Sequence, residues 1–253
     1  MPCGTLSAMP DRRRHRGAHP EDARLFAEDR LTSMRWAMEE YTWLLSRKYG
    51  DRSALKIVGD HHGLTARQRL ALWRSACTDE ALASREARRV SLAQCATQPL
   101  GVDGYNLLIT IESALSGGVV LVGRDGCCRD LASVHGTYRK VEETADAVAI
   151  IIEHLQAHGI ECVDWYLDRP VSNSGRLKAV INDLLACSGR RWNIELIDNP
   201  DRVLIDYEGV VVSSDRAVLD RCALWVNLAA ELVATRVREA WRVDLRFDVS
   251  HGP

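Results

Sequence analysis

The sequence has no long hydrophobic run and no excess of charge of either sign. No stretch of its 253 residues approaches the roughly 18 apolar residues of a membrane-spanning helix, and the amino-terminal segment lacks the apolar core of a signal peptide. Acidic side chains number 35 and basic ones 33, so the formal net charge is −2. We therefore expect no membrane association, and we expect any contact with nucleic acid to be local.

The sequence also lacks a Cys-X-X-Cys motif. Eight cysteines occur, none in a Cys-X-X-Cys motif, and several lie within apolar runs, as free thiols in a reducing compartment would. Hydrophobic residues make up 46% and charged residues 27% of the chain, which is typical of a globular protein with a buried core. The composition predicts a cytoplasmic globular protein.

Periodicity divides the chain into four segments. Residues 1–20 form a basic tail, which we expect to be disordered or, alternatively, to act as a nucleic-acid arm. Residues 21–78 carry apolar residues at helical spacing, and Thr65 followed by Gln68 predicts a capped helix start. Residues 79–98 indicate a partly helical connector, and residues 99–253 alternate short β-rich runs with helical runs. This order predicts a small all-helical unit followed by an α/β domain.

The alternation after residue 98 is typical of strand–helix–strand units in a parallel sheet. Strands are predicted at 100–103, 119–123, 162–167, 194–197 and 210–213, with further short strands at 203–207 and 243–247. Helices are predicted at 105–115, 137–157, 174–187 and 217–238. The predicted fold is an α/β three-layer sandwich with a mostly parallel central sheet.

Aspartates follow the predicted strands. They are Asp103, Asp125, Asp168, Asp198 and Asp215. Because the carboxyl ends of parallel strands meet at one edge of a sheet, we expect these side chains to converge there. Converging carboxylates repel one another unless a cation bridges them, and oxygen ligands suit Mg²⁺ or Mn²⁺. Each of these acids taken alone is better explained as a helix cap than as a ligand. Asp103, Asp168 and Asp215 together end markedly apolar segments, and they are the predicted metal ligands and catalytic residues.

Two short motifs carry a family resemblance. Asp-Gly-Tyr-Asn at 103–106 and Val-Val-Ser-Ser-Asp at 211–215 resemble the PIN/NYN-like nuclease superfamily over about residues 99–237. The resemblance implies metal-ligand roles for Asp103 and Asp215, with Asn106 supporting the first. It also implies an acid on a central helix, for which Glu142 and Glu143 are the candidates, and Asp220 is a further candidate acid.

The whole chain is also similar to a group of prokaryotic proteins of unknown function. In that group a helical segment like residues 44–77 precedes a domain with Asp-Gly-Tyr-Asn and Leu-Asp-Arg-Pro-Val-Ser-Asn-Ser-Gly. The second of these motifs, at residues 167–175, departs from the nuclease pattern. Because of this departure, the motif does not identify the substrate.

Two polar loops are candidates for substrate binding. Ser172, Asn173, Ser174 and Gly175 lie between a strand end and a helix start, where free N–H groups could hold a phosphate or carboxylate, with Lys178 nearby. An ordinary loop with Asn173 or Ser174 as the cap explains the same residues. The second loop, residues 123–140, contains His135 and the candidate phosphate-backbone contact Arg139.

Other conspicuous residues have simpler explanations. Trp36, Trp43 and Trp73 lie at helical spacings that predict core packing. His61 and His62, beside Asp60, resemble a metal cluster, but a turn ahead of the capped helix explains them as well.

These patterns predict a metal-dependent phosphodiesterase, a ribonuclease or single-strand nuclease that acts on RNA or single-stranded DNA. The helical unit would then select a partner protein or the substrate, and a homo-oligomer is compatible with this hypothesis. The alternatives are an enzyme acting on a small phosphorylated or carboxylated metabolite through residues 172–175, and a non-catalytic module that binds nucleic acid or protein. A nuclease predicts at least three carboxylates within metal-bridging distance and a groove flanked by arginine.

Overall fold

A computed structural model of the chain describes residues 16–131, 141–188 and 192–247. Five helices open the described chain. They are α1 (Asp22–Leu25), α2 (Glu28–Ser46), α3 (Asp51–His61), α4 (Ala66–Ser75) and α5 (Asp79–Arg88), followed by a 3₁₀ turn at Leu92–Cys95. The predicted capping box is confirmed, because the Thr65 hydroxyl accepts from the Gln68 backbone and the Gln68 side chain accepts from the Thr65 backbone. None of the described helices is long and apolar enough to cross a membrane.

The central sheet has five parallel strands in the order β5-β4-β1-β6-β7. The strands are β1 (Leu100–Asp103), β4 (Val163–Asp168), β5 (Asn193–Ile197), β6 (Val210–Val212) and β7 (Leu224–Trp225). The helices of this part of the chain are α6 (Gly104–Leu115), α7 (Thr144–Ala157), α8 (Ser174–Ser188), α9 (Pro200–Ile205), α10 (Arg216–Leu219) and α11 (Leu228–Thr235). The predicted α/β class with a mostly parallel sheet after a helical region is confirmed.

The two faces of the central sheet bury different helices. Leu100, Val102 and Trp165 share a core with apolar residues of α6, α7, α8 and α11. Tyr166 and Val211 point the other way and pack with residues of α9 and α10. Because side chains alternate along a strand, Asp103 and Asp168 lie on the α9 and α10 face at the carboxyl ends of β1 and β4.

A second, three-stranded sheet packs against the amino-terminal helices. Its order is β3-β2-β8, formed by β2 (Val120–Val122), β3 (Cys128–Asp130) and β8 (Arg242–Asp244). Leu121 and Val243 from this sheet join a core with Met34, Met38 and Leu72 of the helices. The strand predicted at 119–123 therefore exists but lies outside the central sheet, and the one predicted at 243–247 is its parallel neighbour.

Two elements differ in type from the prediction. The strand predicted at 203–207 is instead the end of α9, because Pro200 lies at the first helical position and the Asn199 side chain accepts from Arg202 N at 3.0 Å. The single helix predicted at 217–238 is broken into α10, β7 and α11. Trp225 lies at the break, where it pairs with Val211 of β6 and its indole donates to Arg85 O at 2.8 Å.

The three tryptophans of the helical region are on its surface. Trp36 is 62%, Trp43 51% and Trp73 39% exposed, so the core positions predicted for them are wrong. The buried face of α2 carries Leu31, Met34, Met38 and Tyr41, and the tryptophans on α2 lie outside this stripe. Trp36 and Trp43 line a groove of about 730 Å³.

Candidate functional site

Asp103 is the buried centre of the candidate site. It ends β1, and its carboxylate accepts from the Ser213 hydroxyl at 2.8 Å and from Asn106 N at 3.4 Å, which caps α6. Burial raises the pKa of Asp103 to about 7; the hydrogen bond from Ser213 opposes this, and the negative charges of Asp201 and Asp215 add to it. A carboxylate in this setting is costly to ionise unless a cation compensates it.

A hydrogen-bond network ties the end of β1 to the loop after β6. The Asn106 side-chain oxygen accepts from the backbone N–H of Ser214 at 2.9 Å and from its hydroxyl at 2.5 Å. Asp215 N donates to the Ser213 hydroxyl at 3.0 Å, and one Asp215 oxygen caps α10 by accepting from Ala217 N at 2.7 Å. Asn106 thus fixes the loop that carries Ser213 and Asp215, and its support of a metal ligand stays a prediction.

Asp168 and Asp201 complete a group of four aspartates at this edge of the sheet. Asp168 ends β4 on the same face as Asp103, and burial raises its pKa. Asp201 lies in the first turn of α9, where partial burial of its carboxyl raises its pKa and the charges of Asp215 and Asp168 add to this. We call Asp103, Asp168, Asp201 and Asp215 the acidic edge.

Asp201 was missed by the sequence analysis because the residues after it were assigned to a strand. The signal that could have found it is Asn199-Pro200, a helix start that places an acid in the next position. With residues 200–205 helical, the acid falls at the carboxyl ends of the strands.

The four carboxylates are near neighbours but do not form a tight metal cage. In the part of the chain that the structure describes, sets of three ligand atoms within 4.8 Å of one another occur only in two histidine-containing clusters elsewhere. The expected bridging distance among three carboxylates is therefore not observed. An all-oxygen site of this kind fits a cation such as Mg²⁺, which keeps several of its waters and is held by one or two carboxylates.

No basic side chain forms an ion pair with any member of the acidic edge within the described ranges. Other aspartates near the sheet do have such partners. Asp198, at the exit of β5, pairs with Arg169 at 3.3 Å on the surface, so it lies outside the group despite its position after a strand. Asp125 and Asp220 are held by arginines too. The acidic edge therefore differs from these acids in having no ion pair within the described chain, and Arg221 acts on Asp201 only through space.

Asp125 belongs to a buried ionic network instead of the acidic edge. It follows β2 of the second sheet, and its carboxylate accepts from Arg85 at 2.5 Å and from Arg129 at 2.6 Å and 2.8 Å. Arg85 reaches on to Asp220 at 2.6 Å, and Arg129 Nε donates to Ser214 O at 2.8 Å. The network thus anchors the loop that carries Asp215.

Glu142 and Glu143 do not join the acidic edge. They precede α7, and the next residue, Thr144, donates to Glu112 on α6 at 2.6 Å. Glu112 is nine residues beyond Asp103, which is about 13 Å along the helix axis. The acids that act on Asp103 are Asp201 and Asp215, so the role predicted for Glu142 or Glu143 is not supported by their position.

The loop at residues 172–175 holds its own structure together. The Ser174 hydroxyl is buried and lies 2.6 Å from both Asp168 O and Val171 O and 2.7 Å from the Tyr105 hydroxyl. Asn173 has a left-handed backbone with φ of 71°, a conformation that asparagine tolerates. Ser174 thus uses its hydroxyl to secure the end of β4, which favours the ordinary-loop explanation over the anion site.

The other candidate contacts are spread around this loop. Ser172, Asn173 and Gly175 are exposed, and Lys178 is half-buried on α8. Arg139 and His135 lie outside the described residues. The structure therefore leaves Lys178 and the exposed loop residues as surface groups near the end of β4.

A groove of about 490 Å³ adjoins the acidic edge on the side of the helical region. Its lining includes Asp215 and Arg216 from the segment after β6 and Tyr49, Asp51 and Trp73 from the helical region. The Arg216 guanidinium stacks 4.6 Å from the Trp73 ring and lies 3.6 Å from Asp51. The groove combines exposed aromatic rings, an arginine and an aspartate of the acidic edge.

Fold and site together define an α/β protein with an acidic edge at the carboxyl ends of a parallel sheet, joined to a helical region. The chain belongs to the family described as "Domain of unknown function (DUF5616)", whose model matches residues 92–231, more than half of the chain. A second model, "Protein of unknown function (DUF434)", matches residues 33–88.

Relatives add little beyond the family. The chain is 28% identical over 203 residues to an uncharacterised protein, MJ0935, of Methanocaldococcus jannaschii; the similarity covers 79% of this chain and 97% of that protein. No solved structure matches the chain. The descriptions of the two families and of the relative name no activity.

Proposed function

We propose that the protein is a divalent-cation-dependent phosphodiesterase that cleaves single-stranded nucleic acid, with RNA as the expected substrate. The observation that carries the proposal is the acidic edge itself, because four aspartates lie together and none forms an ion pair with a basic side chain within the described chain, although the charge of Arg221 partly opposes the raised pKa of Asp201 through space. Carboxylates without a paired positive charge destabilise the folded state, and a bound cation offsets this destabilisation. Asp103, Asp168, Asp201 and Asp215 would hold Mg²⁺ or Mn²⁺.

Such a cation would activate water and neutralise charge that develops on a phosphate. The chain supplies the geometry. Ser213 and Asn106 fix the Asp103 carboxylate and the loop after β6 by hydrogen bonds, and the α10 cap fixes one oxygen of Asp215. Asp103, with its pKa of about 7, is the member whose charge responds most to a bound cation at neutral pH.

The groove beside Asp215 favours a nucleic-acid strand over a small metabolite. Tyr49 is 53% and Trp73 39% exposed, and exposed aromatic rings stack on bases without regard to sequence. Arg216 lines the same groove as Asp215 and stacks on the Trp73 ring, where it can contact a phosphate. A metabolite enzyme would instead be expected to use Ser174, whose hydroxyl is already engaged within the protein.

Cys77, Cys95, Cys127, Cys128, Cys162 and Cys222 are free thiols, and all of them except Cys162 are buried. Free thiols suit the reducing cytoplasm, which we propose as the location.

The full chain, freed of metal and then supplied with Mn²⁺ or Mg²⁺, is expected to cleave single-stranded RNA and to be inactive with the chelator present. Asp201→Asn should lower the rate roughly tenfold to a hundredfold, because it removes a charge from the acidic edge. Asp198→Asn is the matched control, since this aspartate also follows a central strand but pairs with Arg169 on the surface. Cleavage is measured from the rate of product release on labelled oligonucleotides.

Equal rates for Asp201→Asn and the wild-type chain would contradict the proposal. Absence of cleavage together with Mn²⁺-dependent thermal stabilisation would leave a cation-binding module without phosphodiesterase activity, which also contradicts it.

A further inference from the structure

Two histidines one turn apart on α7 face a glutamate on α11. His154 Nε2 lies 2.8 Å and His158 Nε2 3.6 Å from the same oxygen, Glu231 Oε1. The three ligand atoms fall within 4.8 Å of one another. His154 is buried, while His158 and Glu231 are about one third exposed, so the cluster is preformed and still open to solvent.

The hydrogen bonding of His158 leaves an electron pair directed at the cluster. His158 Nδ1 lies 2.9 Å from the backbone oxygen of His154, which can only accept, so Nδ1 carries the proton. In the neutral ring, Nε2 is then the unprotonated nitrogen and faces a carboxylate oxygen. Histidine ligands of metals are oriented in this way, with the second ring nitrogen donating to a carbonyl.

We infer that His154, His158 and Glu231 form a site for a zinc-type divalent ion. Ligand atoms around a tetrahedral zinc lie about 3.3 Å apart, given bonds of about 2.0 Å. The 3.6 Å spacing between His158 and Glu231 is close to this value, and the 2.8 Å spacing at His154 needs to open by about half an ångström. Two imidazoles and one carboxylate are a donor set that zinc takes, with a fourth position for water.

This site lies on the opposite face of the central sheet from the acidic edge. The helices α7 and α11 pack with α6 and α8 on one face, whereas Asp201 and Asp215 belong to α9 and the start of α10 on the other. The same two helices are also joined by Arg236 and Glu153 at 2.5 Å. The ion would therefore link α7 to α11 and stabilise their packing, independently of any reaction at the acidic edge.

The second histidine cluster of the described chain serves as a matched control. His62 Nε2 lies 2.9 Å and His61 Nε2 4.0 Å from the Glu40 carboxylate, but the two histidines are adjacent residues and the His61 side chain is 69% exposed. Both clusters hold two histidines and a glutamate. Only the one on α7 and α11 places the histidines one helical turn apart.

The test is a Zn²⁺ titration of the full, metal-free chain against a chromophoric chelator. His158→Ala and, separately, Glu231→Gln are expected to weaken Zn²⁺ binding roughly tenfold to a hundredfold or more, and His61→Ala to leave it unchanged. Glu231→Gln keeps an oxygen that His154 can hydrogen-bond, so it separates loss of the ligand from loss of the fold. Zn²⁺ should raise the unfolding temperature of the wild-type chain and His61→Ala but not of the other two variants.

The location of the ion is checked by anomalous X-ray scattering at the zinc edge from crystals of the full chain. A peak bonded to His154, His158 and Glu231 supports the inference. A peak only at His61 and His62 or at cysteine, or equal Zn²⁺ affinity in His158→Ala and the wild-type chain, would overturn it.

Discussion

Asp103→Asn is expected to lower the Mn²⁺-dependent cleavage rate by roughly a hundredfold to a thousandfold while making the folded protein more stable at pH 8. The loss of rate follows because Asp103 is the buried member of the acidic edge, fixed by Ser213 and Asn106. Asparagine retains the shape of the side chain and the helix-capping oxygen. It removes the negative charge that a cation would need.

The gain in stability follows from the raised pKa of Asp103. Below about pH 3 the carboxyl is protonated in both the folded and the unfolded chain, so the raised pKa has no effect on stability. Between about pH 4 and 7 the unfolded chain loses the proton while the folded chain keeps it, so the folded state loses stability as the pH rises. Above pH 7 both are ionised and the loss stays constant.

The size of the effect is set by the burial of the carboxyl. Three pKa units correspond to about 4 kcal/mol as an upper limit, and relaxation around the charge reduces this to an expected gain of about 1–3 kcal/mol for the asparagine variant. For a chain of this length, each kcal/mol shifts the unfolding temperature by about 2–4 °C. The difference between variant and wild type should be less than half of its full size at pH 5 and full at pH 8.

Thermal unfolding at pH 5 and pH 8, with and without Mn²⁺, measures both parts of the prediction. Mn²⁺ should stabilise the wild-type chain at pH 8 and have little effect on Asp103→Asn. Asp198→Asn should behave as the wild type in every condition, because its side chain is 74% exposed. An unchanged cleavage rate in Asp103→Asn would refute the assignment of the site, and a stability difference that does not change with pH would refute the buried, uncompensated carboxyl.

The sequence pattern was sufficient for most of the central sheet. β1, β4, β5 and β6 are apolar runs followed by polar residues, and local pattern is enough to find such strands. β7 has two residues within a longer apolar region, so no periodicity distinguishes it from a helix. Its formation depends on pairing with β6, which is tertiary information.

Assignment of strands to sheets also depended on tertiary contacts. β2 resembles the central strands in sequence, yet its parallel partner β8 comes from more than a hundred residues later in the chain. The difference matters for function, because Asp125 follows β2 and therefore faces Arg85 and Arg129. The rule that acids after parallel strands converge applies to Asp103, Asp168 and Asp215, whose strands all belong to the central sheet, but not to Asp198, which follows the edge strand β5 and pairs with Arg169 on the surface.

Asp125→Asn is expected to destabilise the protein by about 3–5 kcal/mol, the second large effect. The Asp125 side chain is 1% exposed and lies between Arg85, also 1% exposed, and Arg129, which is 8% exposed. Burial alone would raise the pKa of Asp125, but the charges of Arg129 and Arg85 hold it well below its usual value. A neutral side chain at this position leaves the two buried guanidinium groups without their shared counter-charge.

The pH dependence of this contribution is opposite in sign to that of Asp103. Because the pKa of Asp125 is lowered in the folded chain, its stabilising effect is fully present above about pH 4 and is lost only as the pH falls below that value. The difference between Asp125→Asn and the wild type should therefore be constant from pH 5 to pH 8. Over the same interval the difference for Asp103→Asn should grow.

Urea unfolding of the wild-type chain and of Asp125→Asn measures their free energies of unfolding, with Asp79→Asn as the control. Asp79 also pairs with an arginine, Arg124 at 2.5 Å, but its side chain is 68% exposed, so its loss should cost less than about 1 kcal/mol. Because Arg129 also donates to Ser214 O, Asp125→Asn should loosen the loop of Asp215 and weaken stabilisation by Mn²⁺ as well. If Asp125→Asn lowers the free energy of unfolding as little as Asp79→Asn does, Arg85 and Arg129 find another counter-charge. The network would then have no part in holding the acidic edge.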